Sequence, residues 1–217
     1  MRCNKCSVRA ILSLAIWFIA LSSNGFAQSI SIRVAAGIVD LPLSDWSKFF
    51  GSQGNSSYPL YSQNNPNPYY ALSIHYDINS HHSVYIGTEL IQTSASSSDS
   101  VEIVDWKFQG IPITVGYEYK SLRINQYFTP VIGGGVSYFI SQVVARDHFF
   151  NQTLKRTGNG YGIHASLGLI SQLTQSLCMI TQARYRYSNG MAFSGNRDDI
   201  KVEFSGFDIS IGLEYSL

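Results

Sequence analysis

The sequence predicts an all-β chain: a transmembrane antiparallel up-and-down β-barrel of eight strands, with four longer outer loops and three short turns. Three observations predict it. Segments with strict period-two alternation recur along the chain, with an apolar and a small or polar face, as in "FSGFDISIGLEYSL" (Phe204 to Leu217). The connections between these segments alternate between long and short. Only 13% of residues are charged, against about 25% in ordinary soluble domains, yet beyond the N-terminal segment no apolar run is long enough for a membrane helix.

The N-terminal segment has the three parts of a secretory signal. Arg2, Lys5 and Arg9 precede the apolar run Ala10 to Leu21, and "SSNGFAQS" follows with small residues Gly25 and Ala27. Cleavage is expected after Ala27, so that residues 1–27 are a signal peptide and 28–217 the barrel domain. A run of 12 residues falls short of a spanning helix, which needs about 20. Cys3 and Cys6 lie in the basic part, leaving Cys178 as the one thiol of the mature chain. A single thiol closes no internal disulfide, so this is not a stapled secreted scaffold. Of 15 basic residues, three are lost with the signal, leaving 12 against 14 acidic ones. That balance excludes a basic nucleic-acid binder.

Eight strands follow in order. The first, Ser29 to Val39, sets Ile30, Ile32 and Val34 against Ser31, Arg33, Ala35 and Gly37. In the second, Tyr69 to Ile78, Tyr70, Leu72, Ile74 and Tyr76 alternate with Ala71, Ser73, His75 and Asp77. The third, Ser83 to Thr93, opposes Val84, Ile86 and Leu90 to Tyr85, Gly87 and Glu89. The fourth, about Ile103 to Tyr119, sets Ile111, Ile113, Val115, Tyr117 and Tyr119 against Gly110, Thr114, Gly116 and Glu118. The fifth is Tyr127 to Ser141, the sixth Tyr161 to Ser171, the seventh Leu177 to Tyr187, and the eighth begins near Lys201. Ten strands result if residues 40–68 or 188–200 hold extra ones. Residues 40–68, "SASSSDS", 142–160 and 188–200 are the longer loops; "NSHH", "KSLRINQ" and "QLTQS" are the short turns. Pro112 and Pro130 are expected near strand ends or bulges, because Pro cannot donate to the ladder.

The faces follow from where water is. A membrane barrel inverts the soluble pattern, turning its apolar face to lipid. Tyr69, Tyr70, Tyr117, Tyr119, Tyr138, Tyr185, Tyr187 and Tyr215 are the expected interfacial aromatics. Arg33, Glu89, Glu118, Arg184, Arg186, Asp208 and Glu214 are the expected lumen charges, whose pairing offsets the desolvation of lone ions. Small residues otherwise suit the narrow interior of an eight-stranded barrel. Trp46, Phe49, Phe50, Phe149 and Phe150 place aromatics in outer loops, as candidates for contact with a partner.

The segments "FQGIPITVGYEY" (108–119), "YFTPVIGGGVSYF" (127–139), "SLCMITQARYRY" (176–187) and "FSGFDISIGLEYSL" (204–217) resemble the small outer-membrane β-barrel proteins of the porin-like, OmpX/OmpA type. The resemblance spans most of the mature chain. It implies residence in the outer membrane, contact with its lipid and lipopolysaccharide, insertion by the barrel-assembly machinery, a monomeric state and no cofactor. Family members usually end in an aromatic residue; here Leu217 is last, with Tyr215 two before it.

The expected role is non-enzymatic: structural, surface-interacting or adhesive, through the outer loops. A narrow passive pore is the first alternative. A second rests on His164 and Ser166, whose "HAS" resembles the His-x-Ser of outer-membrane lipid A deacylases. Leu167 stands where that motif carries Asn, the nearest downstream acid is Asp198, and the pair falls on the expected lumen face. A lumen hydrogen-bond network is the plainer account of that His. His81 and His82 sit together on a tight turn with no third ligand, a poor metal site. A soluble lipocalin-like binder, with the faces reversed, is a further alternative.

Overall fold

The computed structural model describes residues 29–40, 60–63, 67–98, 103–122, 124, 127–147, 152–193, 200–202 and 205–217. Trp46, Phe49, Phe50, Phe149 and Phe150, and the signal-peptide segment, lie outside them. The strands are β1 (Ile30–Asp40), β2 (Leu60–Gln63), β3 (Asn67–Asp77), β4 (His82–Ser98), β5 (Ile103–Lys120), β6 (Phe128–Asp147), β7 (Gln152–Gln172), β8 (Leu177–Phe193), β9 (Ile200–Val202) and β10 (Gly206–Ser216).

Eight of these close a barrel. Taken in the order β1, β3, β4, β5, β6, β7, β8, each strand pairs antiparallel with the next, β8 pairs with β10, and β10 with β1. The two segments that could have added strands do carry short ones, but β2 pairs only with the upper part of β4 and β9 only with that of β8. Neither is a stave. Passing along paired residues from Ile30 through Tyr76, Val84, Tyr117, Gly134, Ala165, Tyr185 and Phe207 returns to β1 at Asp40, ten residues above the start. That stagger is the shear of the barrel and tilts the strands, by about 40° in barrels of this kind. A tilted strand then climbs about 2.5 Å per residue.

Alternation is the reason these residues form these strands. On β10, Phe207, Ile209, Ile211, Leu213 and Tyr215 are exposed, while Gly206, Asp208, Ser210, Gly212 and Glu214 are buried. Within the belt β1 and β5 read the same way, with apolar side chains outside and charge inside, and β7 turns Tyr161, Ile163 and Leu167 outward and Gly162, His164 and Ser166 inward. The outside belt is bounded by aromatic rings. Tyr70, Tyr138, Tyr161, Tyr185, Tyr187 and Phe207 stand toward the long-connection end; Tyr117, Tyr119, Tyr127, Phe128 and Tyr215 stand toward the short turns. Tyr69, expected among the interfacial rings, is a correction. It is 2% exposed and points into the lumen, because neighbours on a strand face opposite ways and Tyr70 already holds the outer position.

The turns use local chemistry. Asn79 Oδ1 accepts from the backbone N–H of both His81 and His82 at 2.9 Å, and Thr174 Oγ1 accepts from Leu177 N at 3.0 Å. The other end differs from expectation. Residues 142–160 are mostly strand: β6 runs to Asp147 and β7 begins at Gln152. β4 to β8 have 17, 18, 20, 21 and 17 residues, against 11 in β1, β3 and β10. Crossing a membrane takes about 9–11, so these five strands continue beyond the belt as a projecting sheet. Its outer face is mainly polar, with Gln92, Lys107, Arg146, Lys155, Thr157 and Asn159 around a half-buried Val144. The apolar half of the alternation lapses there, which is why the sequence reads as loop.

Pro130 is the third residue of β6, near the strand end as expected. Pro112 is not: it lies inside β5, facing the lumen. The β4–β5 ladder is interrupted beside it, running from Thr88↔Ile113 to Ile91↔Gly110 without a paired residue between.

Candidate functional site: the charged lumen

The interior holds two layers of charge. In the lower one, nearer the short turns, Arg33 reaches two carboxylates. Its Nε and Nη2 donate to Glu214 at 2.8 and 2.6 Å, and Nη1 and Nη2 donate to the two oxygens of Glu118 at 2.8 and 2.9 Å. His75 Nδ1 lies 3.5 Å from Glu118 Oε2, and its Nε2 is 2.8 Å from Ser73 Oγ. Below, Lys120 and Asp77 pair at 2.7 Å. In the upper layer Arg184 and Arg186 both bind Glu89 and Asp208: Arg184 Nε donates to Asp208 Oδ2 at 3.0 Å, Arg184 Nη1 to Glu89, and Arg186 Nη2 to Glu89 and Asp208 at 2.9 and 2.8 Å. Tyr69 completes this layer. Its hydroxyl donates to Asp208 at 2.8 Å, and its ring lies 5.5 Å from the Arg184 guanidinium and 5.7 Å from that of Arg186.

All seven residues expected in the lumen are therefore there, brought together from β1, β4, β5, β8 and β10. Planar guanidinium forks suit this task, since each can hold two carboxylates in fixed geometry. Between the layers lies a cavity of about 40 Å³ among Ala35, Ser73, Tyr85, Thr114, Gln182 and Ser210. That is room for a few waters, not for a solute. Toward the projecting sheet the lumen is filled by buried Val39, Ile91, Phe108, Phe139 and Val143. At the level of the lower layer, Val131, Ile170, Ile180 and Cys178 fill the β6–β8 side.

Aromatic rings use the glycines of neighbouring strands as seats. A Cβ on Gly162 would stand 2.7 Å from Phe139 Cε2, and one on Gly135 2.8 Å from His164 Cε1. Gly37, Gly116, Gly135 and Gly162 thus mark where the rings of Tyr69, Tyr85, His164 and Phe139 cross the interior.

His164 and Ser166 both face this interior, and no reactive pair forms. His164 Nε2 is 2.6 Å from Tyr85 Oη, while Ser166 Oγ is buried with no partner. His81 and His82 lie against Tyr117 and Tyr119. Among the described residues no group of three His, Cys, Asp or Glu could hold a metal ion. The sequence reading did not assign Tyr69, His75 and Tyr85 to the network. Their parity along the strand, shared with Ser73 and Glu89, was the available signal.

Closed, apolar outside between two aromatic girdles and charged within, the chain has the fold of a small outer-membrane β-barrel protein. The solved structures agree. The outer membrane protein OprG from Pseudomonas aeruginosa is similar with a TM-score of 0.56 at 12% identity, over 90% of this chain and 98% of that one. A major outer membrane protein from Thermus thermophilus also scores 0.56, at 11% identity, over 88% of this chain and 100% of that one. The sequence matches no protein-family model and no curated protein.

Proposed function

We propose that this chain is a non-enzymatic outer-membrane protein that works as a rigid support for a surface-binding sheet. The observation that carries this is the projection of β4 to β8 beyond the belt. From Gln142 to Asp147 on β6, or Gln152 to Asn159 on β7, it rises about 15–20 Å above the hydrocarbon. The outer face of that sheet carries Lys107, Arg146 and Lys155 on three adjacent strands, with Asp105 beside Arg146. Such a face suits anionic surfaces, the phosphorylated sugars of lipopolysaccharide or an extracellular partner. The filled lumen supports the same reading, since a conducting role needs an open path. On this proposal residues 1–27 direct secretion and are removed, the barrel-assembly machinery inserts the chain, and it acts as a monomer.

The test is to trim the β4–β5 and β6–β7 hairpins to two-residue turns at the rungs Gln92↔Gln109 and Gln142↔Thr157. The shortened barrel should still show a shifted, heat-modifiable band and should lose binding to lipopolysaccharide-coated beads and to cell surfaces. Binding retained by the trimmed barrel would overturn the proposal, as would steady conductance of the intact protein in planar bilayers.

A further inference from the structure

The apolar belt is not the same height all round. On β4 it runs only from Val84 to Leu90, between His82 and Gln92, about 15 Å of wall. On β6, two strands further round the wall, it runs from Phe128 to Ile140, about 30 Å. Beyond its lower end, the two turns on that flank expose more apolar surface. Leu122 is 76% exposed, Ile124 71%, Tyr127 55%, Leu173 53% and the adjacent Leu217 74%. Two periplasmic turns and a neighbouring strand end in water have no reason to present large apolar side chains together, four on the turns and one at Leu217. The remaining turn is different: its one apolar residue, Ile78, is half-buried, Asn79, Ser80, His81 and His82 are polar, and the Asn79 side chain is used to close the turn.

The geometry points to a one-sided anchor: Leu122, Ile124, Tyr127, Leu173 and Leu217 sit within the inner leaflet, among phospholipid acyl chains, while Asn79, Ser80, His81 and His82 stay in water. The occupant is lipid because Tyr127 leads directly into Phe128 of the lipid-facing belt and Leu217 follows Tyr215 on the outward face, while on β5 and β7 a single half-buried serine, Ser121 or Ser171, intervenes before Leu122 or Leu173. The inference rests on the belt being lipid-facing, as proposed above. Its consequence is unequal membrane thickness on the two flanks. Lipid must thin against β3 and β4 or leave apolar wall uncovered on β6 and β7, each at a cost that rises with every ångström of mismatch.

Spin labels test it. In a cysteine-free background (Cys3→Ala, Cys6→Ala, Cys178→Ala), single labels go at Leu122→Cys, Leu173→Cys, Ser80→Cys and, as a belt reference, Leu167→Cys. Each variant is checked for the heat-modifiable band. It is then placed at low density in phosphatidylethanolamine–phosphatidylglycerol vesicles loaded on both sides with a water-soluble nickel chelate. The labels at 122 and 173 should collide with oxygen several-fold more than with nickel, as at 167, and the label at 80 should show the reverse. Labels at 122 and 173 that behave like 80 while 167 reads as lipid would overturn the inference. So would a label at 80 that also reads as lipid, or dipolar broadening at 122 showing a second copy in place of lipid. Nickel access at 167 would instead bring down the lipid-facing belt itself, and this inference with it.

Discussion

Arg33→Met tests how dry the lumen is. Arg33 makes four charge-assisted hydrogen bonds, at 2.6 to 2.9 Å, to Glu118 and Glu214, and all three residues are buried. Removing one partner of a buried ion pair costs about 3–5 kcal/mol, because the remaining charge is stranded. Here two carboxylates are stranded, so the upper half of that range is expected: about 4 kcal/mol or more, a roughly thousand-fold drop in the folding equilibrium. The neutral triple variant Arg33→Met, Glu118→Gln, Glu214→Gln strands nothing and should recover to within about 1–2 kcal/mol of the native protein. Both are measured by urea unfolding in phospholipid vesicles, read from the loss of the shifted band on unheated gels. A His75→Gln background removes the imidazole 3.5 Å from Glu118, which could otherwise offset part of the stranded charge. A single variant costing less than about 1 kcal/mol would mean that water reaches the lower layer and solvates both carboxylates. A triple variant no better than the single one would refute the charge argument and leave packing as the cause.

Three further outcomes follow from the same geometry. Pro112→Val supplies an N–H beside the ladder gap at Glu89 and Leu90 and should raise the unfolding midpoint by about 1 kcal/mol of stability, measured in the same vesicles. Gly162→Ala forces a Cβ against Phe139 and, at 2.9 Å, against Tyr187 O, and should cost about 1–3 kcal/mol; adding Phe139→Leu should restore only part, since the carbonyl stays in place. Ser166→Ala removes a buried hydroxyl that has no partner, so stability should hold or rise by up to about 1 kcal/mol, and the variant should match the native protein in assays with lipopolysaccharide as substrate. Loss of a deacylase activity on that substitution would reverse the non-enzymatic reading.

Much of this architecture is legible in sequence because a membrane barrel writes its two solvents into alternate residues. From Ile30 to Ile38, or Phe207 to Tyr215, the apolar positions name the outer wall and the charged ones the lumen. That same rule failed where one of the two solvents changes. Above the belt, water meets the outer face, polar residues occupy it, and strands such as 142–147 and 152–160 read as loop. Tyr69 shows a different limit. Residue type alone suggested an interfacial ring, and only its place between Asn67 and Ala71 on the inner face shows that it belongs with Asp208 and the two arginines. Which charges pair was not legible either. Arg33 meets Glu118 across 85 positions of sequence, a proximity set by the stagger of the wall rather than by any local pattern.

The closure of β1 on β10 also dictates when the barrel can exist. Ser31 pairs with Ser216 and Asp40 with Phe207, so the first stave waits for the last. Every hairpin from β3 to β8 can zip as soon as its own two strands are available, but each such intermediate is an open sheet with two raw edges. In hydrocarbon those edges are intolerable. Insertion must therefore shelter β1 until β10 arrives, and a chain cut short anywhere before Gly206 would leave an unpaired seam running the full depth of the membrane. Pairing over so long a stretch of sequence makes folding slow, and makes β10, rather than the charged interior, the element on which the final step of assembly turns.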